Sequence, residues 1–157
     1  MLVTRIKTTI LALLVFTIFL PGCANNVTTL DKRALLTSQA NAGDAEAQYQ
    51  LGRTYCCGKG AGYDVVIARE WFCKAAVQDH GGAQYQLGRM LAERMDSHST
   101  PSKRQDLVEA YMWYSLAALK EVPLAASERE ALKIDLSSFE LRQSERRIRN
   151  WQKFECR

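Results

Sequence analysis

The heptapeptide AQYQLGR stands at residues 47–53 and again at residues 83–89, 36 positions apart. Seven matched positions in a chain of 157 residues mark an internal duplication. A period of 36 lies in the range of stacked repeat architectures. Each copy is followed by a second shared pattern. AREWFCKAAV at 68–77 aligns with AYMWYSLAAL at 110–119, now at an offset of 42. The six additional residues fall in the polar stretch DSHSTPSKRQ at 96–105, whose proline, serines and charges predict a loop.

Both halves of the repeat carry helical periodicity. Ala47, Leu51 and Tyr55 sit four apart with Gly52 beside them, which makes one stripe of a helix. Ala68, Trp71, Phe72, Ala75 and Ala76 follow the i, i+3, i+4, i+7, i+8 spacing of an amphipathic helix. The glycines at 58, 60 and 62 favour a turn between them. Asp64, and Asp106 in the second unit, are expected to cap the helices that follow. The small residues admit close helix approach, and the aromatic ones supply most of the buried area. A lone hairpin of this kind cannot bury both faces, so the units must stack.

The pattern A-x-x-x-L-G-x-x-Y-x-x-G-x-G, then D, then A-x-x-W-F/Y-x-x-A-A resembles the Sel1-like repeat, a relative of the tetratricopeptide repeat. The first unit carries Ala47, Leu51, Gly52, Tyr55, Gly58, Gly60, Asp64, Ala68, Trp71, Phe72, Ala75 and Ala76. The second keeps Ala83, Leu87, Gly88, Asp106, Ala110, Trp113, Tyr114, Ala117 and Ala118. It has Leu91 in place of the tyrosine and lacks the paired loop glycines, and Asp79 stands where the family prefers a helix-ending glycine. The resemblance covers residues 42–119 and implies an all-α fold, an α-solenoid of stacked antiparallel helix hairpins. Two full repeats are expected, at about 43–78 and 79–120, within a solenoid region of 30–157.

The flanks read as capping elements. A first helix is expected over 30–42, leading to Gly43. After Pro123, residues 125–136 read as a degenerate third first-helix, and capping helices continue to about 155. Ser137 and Glu140 form an S-x-x-E capping box ahead of a closing helix from Phe139 to about Phe154. That helix carries Arg142, Arg146, Arg147, Arg149 and Lys153, either as a solvated face with Glu145 and Glu155 as partners or as a surface for anionic lipid or an acidic protein.

Residues 1–22 read as an export signal. Arg5 and Lys7 precede an apolar run at 10–20 broken only by Thr17. Eleven helical residues span roughly 16 Å, too short for a ~30 Å hydrocarbon core, and the flanks fit a secretory signal. The run ends in Leu20-Pro21-Gly22-Cys23, which resembles the bacterial lipobox, with Pro21 departing from the usual residue. That resemblance implies lipidation of Cys23, a short tether at 23–29 and, with Ala24 rather than aspartate following, the periplasmic face of a Gram-negative outer membrane. An ordinary signal peptide with a chance cysteine is the other reading. Removing Arg5 and Lys7 from the 21 basic residues leaves 19 against 17 acidic ones, a net charge of +2, too small to point to nucleic acid.

Exported chains tolerate disulfides. With Cys23 set aside, Cys56, Cys57, Cys73 and Cys156 allow three pairings. An adjacent Cys56–Cys57 bond would be strained, so one or both are expected to join Cys73 or Cys156. Cys73 within an apolar helix also reads as a small buried hydrophobe.

No motif for chemistry emerges. The two histidines, His80 and His98, have no second ligand at a metal spacing, and there is no C-x-x-C, H-E-x-x-H, G-x-S-x-G or S-x-x-K. Neither a cofactor nor a metal is expected. The sequence points instead to surface. If Ala47, Leu51 and Tyr55 face inward, Gln50 and Arg53 face elsewhere, and Gln86 and Arg89 repeat them about 10 Å away. Glu46 and Glu93 share that surface. These six are the candidate partner-binding residues, because arginine and glutamine offer directional hydrogen bonds to a peptide or acidic loop. An equal reading is a duplicated surface that has not diverged. The expected function is a non-catalytic protein-interaction module, lipid-anchored in the envelope, serving as scaffold or assembly factor for an envelope or periplasmic protein. A periplasmic immunity or inhibitor protein is one alternative. A weak β-lactam- or cell-wall-binding enzyme using His80, Glu128 and Glu130 is another.

Overall fold

Alternation of buried and exposed positions along the chain resolves into seven helices among the described residues. In the computed structural model these residues are 29–56, 64–93, 101–151 and Cys156. The helices are α1 (Thr29–Asn41), α2 (Ala45–Cys56), α3 (Val65–Ala76), α4 (Gly81–Glu93), α5 (Pro101–Leu119), α6 (Ala125–Lys133) and α7 (Ser138–Arg149). The chain is an all-α solenoid of stacked antiparallel hairpins. The α2–α3 and α4–α5 hairpins are its two units, and α3 packs on α4 to join them. α1 covers α2 at one end, while α6 and α7 cover α5 at the other. No described helix is long and apolar enough to cross a membrane. The sequence readings that rest on residues 1–28, on the 58–62 glycines, on Cys57, on His98 and on residues 152–155 lie outside the described residues.

Local chemistry sets each boundary. α1 ends because Gly43 adopts φ +96°, which lets the Gly43 N–H donate to Ala40 O (3.1 Å) and the Asp44 N–H to Gln39 O (3.2 Å). The same left-handed turn recurs after α3 at Asp79 (φ 67°) and after α5 at Glu121 (φ 56°). The repeat therefore keeps the turn where it has lost the glycine. Asp64 caps α3, its carboxylate accepting from the Val66 and Ile67 N–H groups at 2.9 and 3.0 Å. Asp106 does not play this part. α5 begins five residues earlier, at Pro101, so that Asp106 lies in its second turn. Proline at a helix start loses nothing, since its missing N–H would have no partner there. The extra turn carries Arg104 to Glu140 of α7, with Nε 2.6 Å from Oε1.

The main core runs through α3, α4 and α5. Phe72, Leu87, Val108, Trp113 and Tyr114 are buried there among alanines. A smaller cluster of Ala40, Ala47 and Leu51 seals α1 against α2, with Trp71 and Tyr55 at its edge. At the far end Ser144, wholly buried, donates to Val108 O at 3.1 Å and fastens α7 along α5. The capping box at Ser137 and Glu140 is present in both directions. α6 is shorter than its sequence pattern suggests, stopping at Lys133, and Leu136 turns into the core beyond it.

Cys73 of α3 is bonded to Cys156, with Cα atoms 5.6 Å apart. This corrects the expectation that Cys56 or Cys57 would join one of these two. α7 runs back along the core beside α5, and Cys156 is packed against that core, where it meets Cys73. Cys56 is also disulfide-bonded, with its partner outside the described residues.

Candidate functional site

The duplicated heptapeptide divides into residues that build the solenoid and residues that face outward. Ala47 and Ala83, with Leu51 and Leu87, are buried. Gly52 lies so close to the Phe72 ring that a Cβ there would stand 2.7 Å from Cε1, and Gly88 meets Tyr114 Cδ1 at the same 2.7 Å. Tyr49 tilts against Phe72 at 5.9 Å between ring centroids, and Tyr85 against Tyr114 at 5.6 Å. The first glutamine of each copy is a structural residue. Gln48 donates from Nε2 to Ala40 O (3.0 Å), and Gln84 to Ala76 O (3.3 Å). Each thus adds a second hydrogen bond to a carbonyl in the last turn of the preceding helix, beside the turn N–H of Gly43 or Asp79. Sequence reasoning passed over both, although their duplication within a buried stripe was the available signal.

The six predicted surface residues fall into two separate groups, one per unit. On α2, Gln50 donates to Glu46 (2.6 Å), while Arg53 is exposed and its guanidinium lies 5.8 Å from the Tyr49 ring centroid. Hydrogen bonds from His80 and then Gln50 lower the Glu46 carboxyl below its ordinary range. On α4, Arg89 Nε lies 3.0 Å from Glu93 Oε1, a contact of opposite charges without hydrogen-bond alignment, and Gln86 is half-buried with its Oε1 unpaired among the described residues. The duplicated surface therefore carries two i,i+4 pairs, Glu46–Gln50 on α2 and Arg89–Glu93 on α4, with Glu46 also reaching His80 at the junction.

His80 holds the units together at their junction. Its Nδ1 accepts from the Ala83 N–H (3.1 Å) and so caps α4. Its proton then sits on Nε2, which lies 2.8 Å from Glu46 Oε2. The ring stacks on Tyr49 at 4.6 Å. Asp44 caps α2 in the same position one unit earlier, through Ala47 N at 2.6 Å. His80 thus takes over a capping role, and its ring nitrogens are both engaged in the fold. Glu130 is engaged by Arg129 and Lys133, while Glu128 is exposed on the same helix. Among the described residues no three His, Cys, Asp or Glu side chains are placed to hold a metal ion.

A groove of about 510 Å³ opens where the two units meet. Val65, Val66 and Arg69 of α3 line it with Arg89, Met90 and Glu93 of α4, and Cys56 of α2 stands at one end. Val66 is 69% exposed, an apolar side chain placed in solvent at the start of a helix. Two of the six predicted residues, Arg89 and Glu93, are thus on the edge of an apolar depression, and the other four are not among its lining residues. Val65, Val66 and Met90 were not singled out from sequence, because valines opening a helix read as core.

The Sel1 repeat family model matches residues 45–80 and 82–121, which are the α2–α3 and α4–α5 hairpins. No match to a curated protein was found. Sel1 repeats generally mediate protein–protein interaction. With both matched segments coinciding with the two stacked hairpins, and with the duplicated alanine, leucine, glycine and aromatic positions forming their contacts, the chain belongs to the Sel1-like repeat family.

Proposed function

We propose that this protein is a membrane-tethered adaptor of the bacterial envelope that holds a partner protein in the groove between α3 and α4. The observation that carries the reading is the groove itself. Val65, Val66 and Met90 offer an apolar floor for one or two side chains of a partner segment, and the Arg89–Glu93 pair on its edge offers directional polar contacts. Such a site suits a short segment bound by a few anchors, in which most of the energy comes from the buried apolar residue. The tether rests on sequence: the basic start, the apolar run at 10–20 and Cys23.

Crosslinked capture of the tagged full chain tests the site when wild type is compared with Val66→Asp and Arg53→Glu. Both positions are exposed, so the fold tolerates either change. A partner lost with Val66→Asp and retained with Arg53→Glu supports the groove. Equal capture by all three chains refutes it. Labelling with a fatty-acid analogue tests the tether, and incorporation that persists in Cys23→Ser removes that part of the proposal.

A further inference from the structure

We infer that the outer face of α7, with the α6–α7 corner, is a docking surface for an anionic lipid bilayer. Arg142, Arg146 and Arg149 are all exposed and recur at i, i+4 and i+7, so they share one side of the helix. Phe139 lies on the same side and is 68% exposed, and Ile134 at the corner is 86% exposed. The stripe from Phe139 to Arg149 is about 15 Å long at the rise of an α-helix. The opposite side of α7 is committed to the core by Ser144, Leu141 and Ile148. The stripe therefore has no route inward.

The inner and outer cations of this region differ in kind. Arg147 reaches Glu109 at 2.9 Å, and Arg104 is held by Glu140. Among the described residues no ion pair engages Arg142, Arg146 or Arg149, although exposed Glu145 shares their helix. Lys133 is paired with Glu130 at 3.3 Å, and Asp135 is exposed at the corner. The face keeps a net positive charge with two large apolar side chains at one end. Arginines that meet lipid phosphates while an aromatic and an aliphatic side chain enter the acyl boundary form the pattern of an interfacial helix.

The same arginines would suit an acidic protein. The bilayer is favoured because exposed Phe139 and Ile134 beside the arginines suit an acyl boundary and the proposed tether keeps the chain at a membrane surface. Five residues separate Cys23 from Thr29, at most about 20 Å of extended chain. In this respect the inference rests on the tether reading, and the test keeps the two apart.

Every buried described residue lies between Ala40 and Ser144, so a chain beginning at Ala24 retains the whole core. That chain is floated with vesicles of phosphatidylcholine alone or with about 30% phosphatidylglycerol added, which gives the surface a negative potential. The expected result is binding to the anionic vesicles only, reversed by high salt. Arg142→Glu/Arg146→Glu/Arg149→Glu should weaken partitioning at least about a hundredfold, given roughly fivefold per arginine. The matching triple lysine variant should keep it, and Phe139→Ser with Ile134→Ser should reduce it by about tenfold or more. Thermal melts matching wild type confirm that each variant is folded. Absence of flotation, or flotation indifferent to the charge reversal, overturns the inference. So does salt-sensitive retention on immobilised polyglutamate without vesicle binding, which assigns the face to an acidic protein. The full chain carrying the charge reversal should stay with membranes even in high salt, while Cys23→Ser, held by the stripe alone, should be released by high salt. Salt-resistant retention of Cys23→Ser, with the vesicle results as expected, faults the tether and not the stripe.

Discussion

Replacing Gly88 by alanine asks whether the stacking of α4 on α5 is set by a ring resting on bare backbone. A Cβ at this position would stand 2.7, 2.9 and 3.1 Å from Cδ1, Cε1 and Cγ of Tyr114. Ordinary carbon contacts lie at about 3.5–4.0 Å, so helix or ring must move by close to 1 Å. Tyr114 is 1% exposed at the centre of the main core and has little room to move. Overpacking of this kind costs about 1–3 kcal/mol. Alanine recovers about 1 kcal/mol of helix propensity over glycine. The net expectation is a loss of up to about 2 kcal/mol, or up to about 10 °C in Tm for a body of this size. Thermal and urea denaturation of the oxidised protein would measure it. The decisive arm is a double-mutant cycle with Tyr114→Leu. Once the ring is gone, Gly88→Ala should become neutral or stabilising, giving a coupling of at least about 1 kcal/mol. A coupling of zero would refute the close approach as the determinant of the hairpin.

Three other perturbations follow from the geometry. Replacing Cys73 and Cys156 together by alanine opens a loop of 83 residues' separation and should cost up to roughly 4.5 kcal/mol through the unfolded chain, read as a shifted guanidinium midpoint. Glu121 is exposed at φ 56°, so Glu121→Gly should raise stability by about 1 kcal/mol, and a decrease would show that the side chain has a role the turn does not require. Arg104, and after it Ser137, hold the Glu140 carboxyl at about 2, below its ordinary 4.5. A depressed carboxylate contributes stability above its unfolded value and loses it as pH falls through the folded one. The wild type should therefore lose Tm between about pH 5 and pH 2 more steeply than Glu140→Gln, and parallel curves would exclude this pair as a source of acid sensitivity.

The period of 36, the alanine and aromatic spacing and the capping box were readable because each depends only on neighbours along the helix. The start of α5 was misread because Pro101 looks like a loop residue until the contact of Arg104 with Glu140, 36 positions away, rewards an earlier start. The candidate surface was legible only in part. Arg89 and Glu93 border the groove, but Gln50 and Arg53 do not, since the repeat copies helix faces and the groove is made by the junction between copies. Gln48 and Gln84 escaped notice because a glutamine in a helix reads as solvent-facing until a carbonyl of the preceding helix is seen beneath it.

Helicity, repetition and the stacking of two units were all legible in the order of residues. Periodicity, small residues and turn chemistry are local properties, and duplication makes them visible twice. Which cysteines meet, where the apolar groove opens and which arginines face outward came from the packing of the helices. Each of these depends on distances between segments remote in the chain. Cys73 meets Cys156 because α7 folds back along α5, and Arg147 finds Glu109 while Arg146, its neighbour, is turned to solvent.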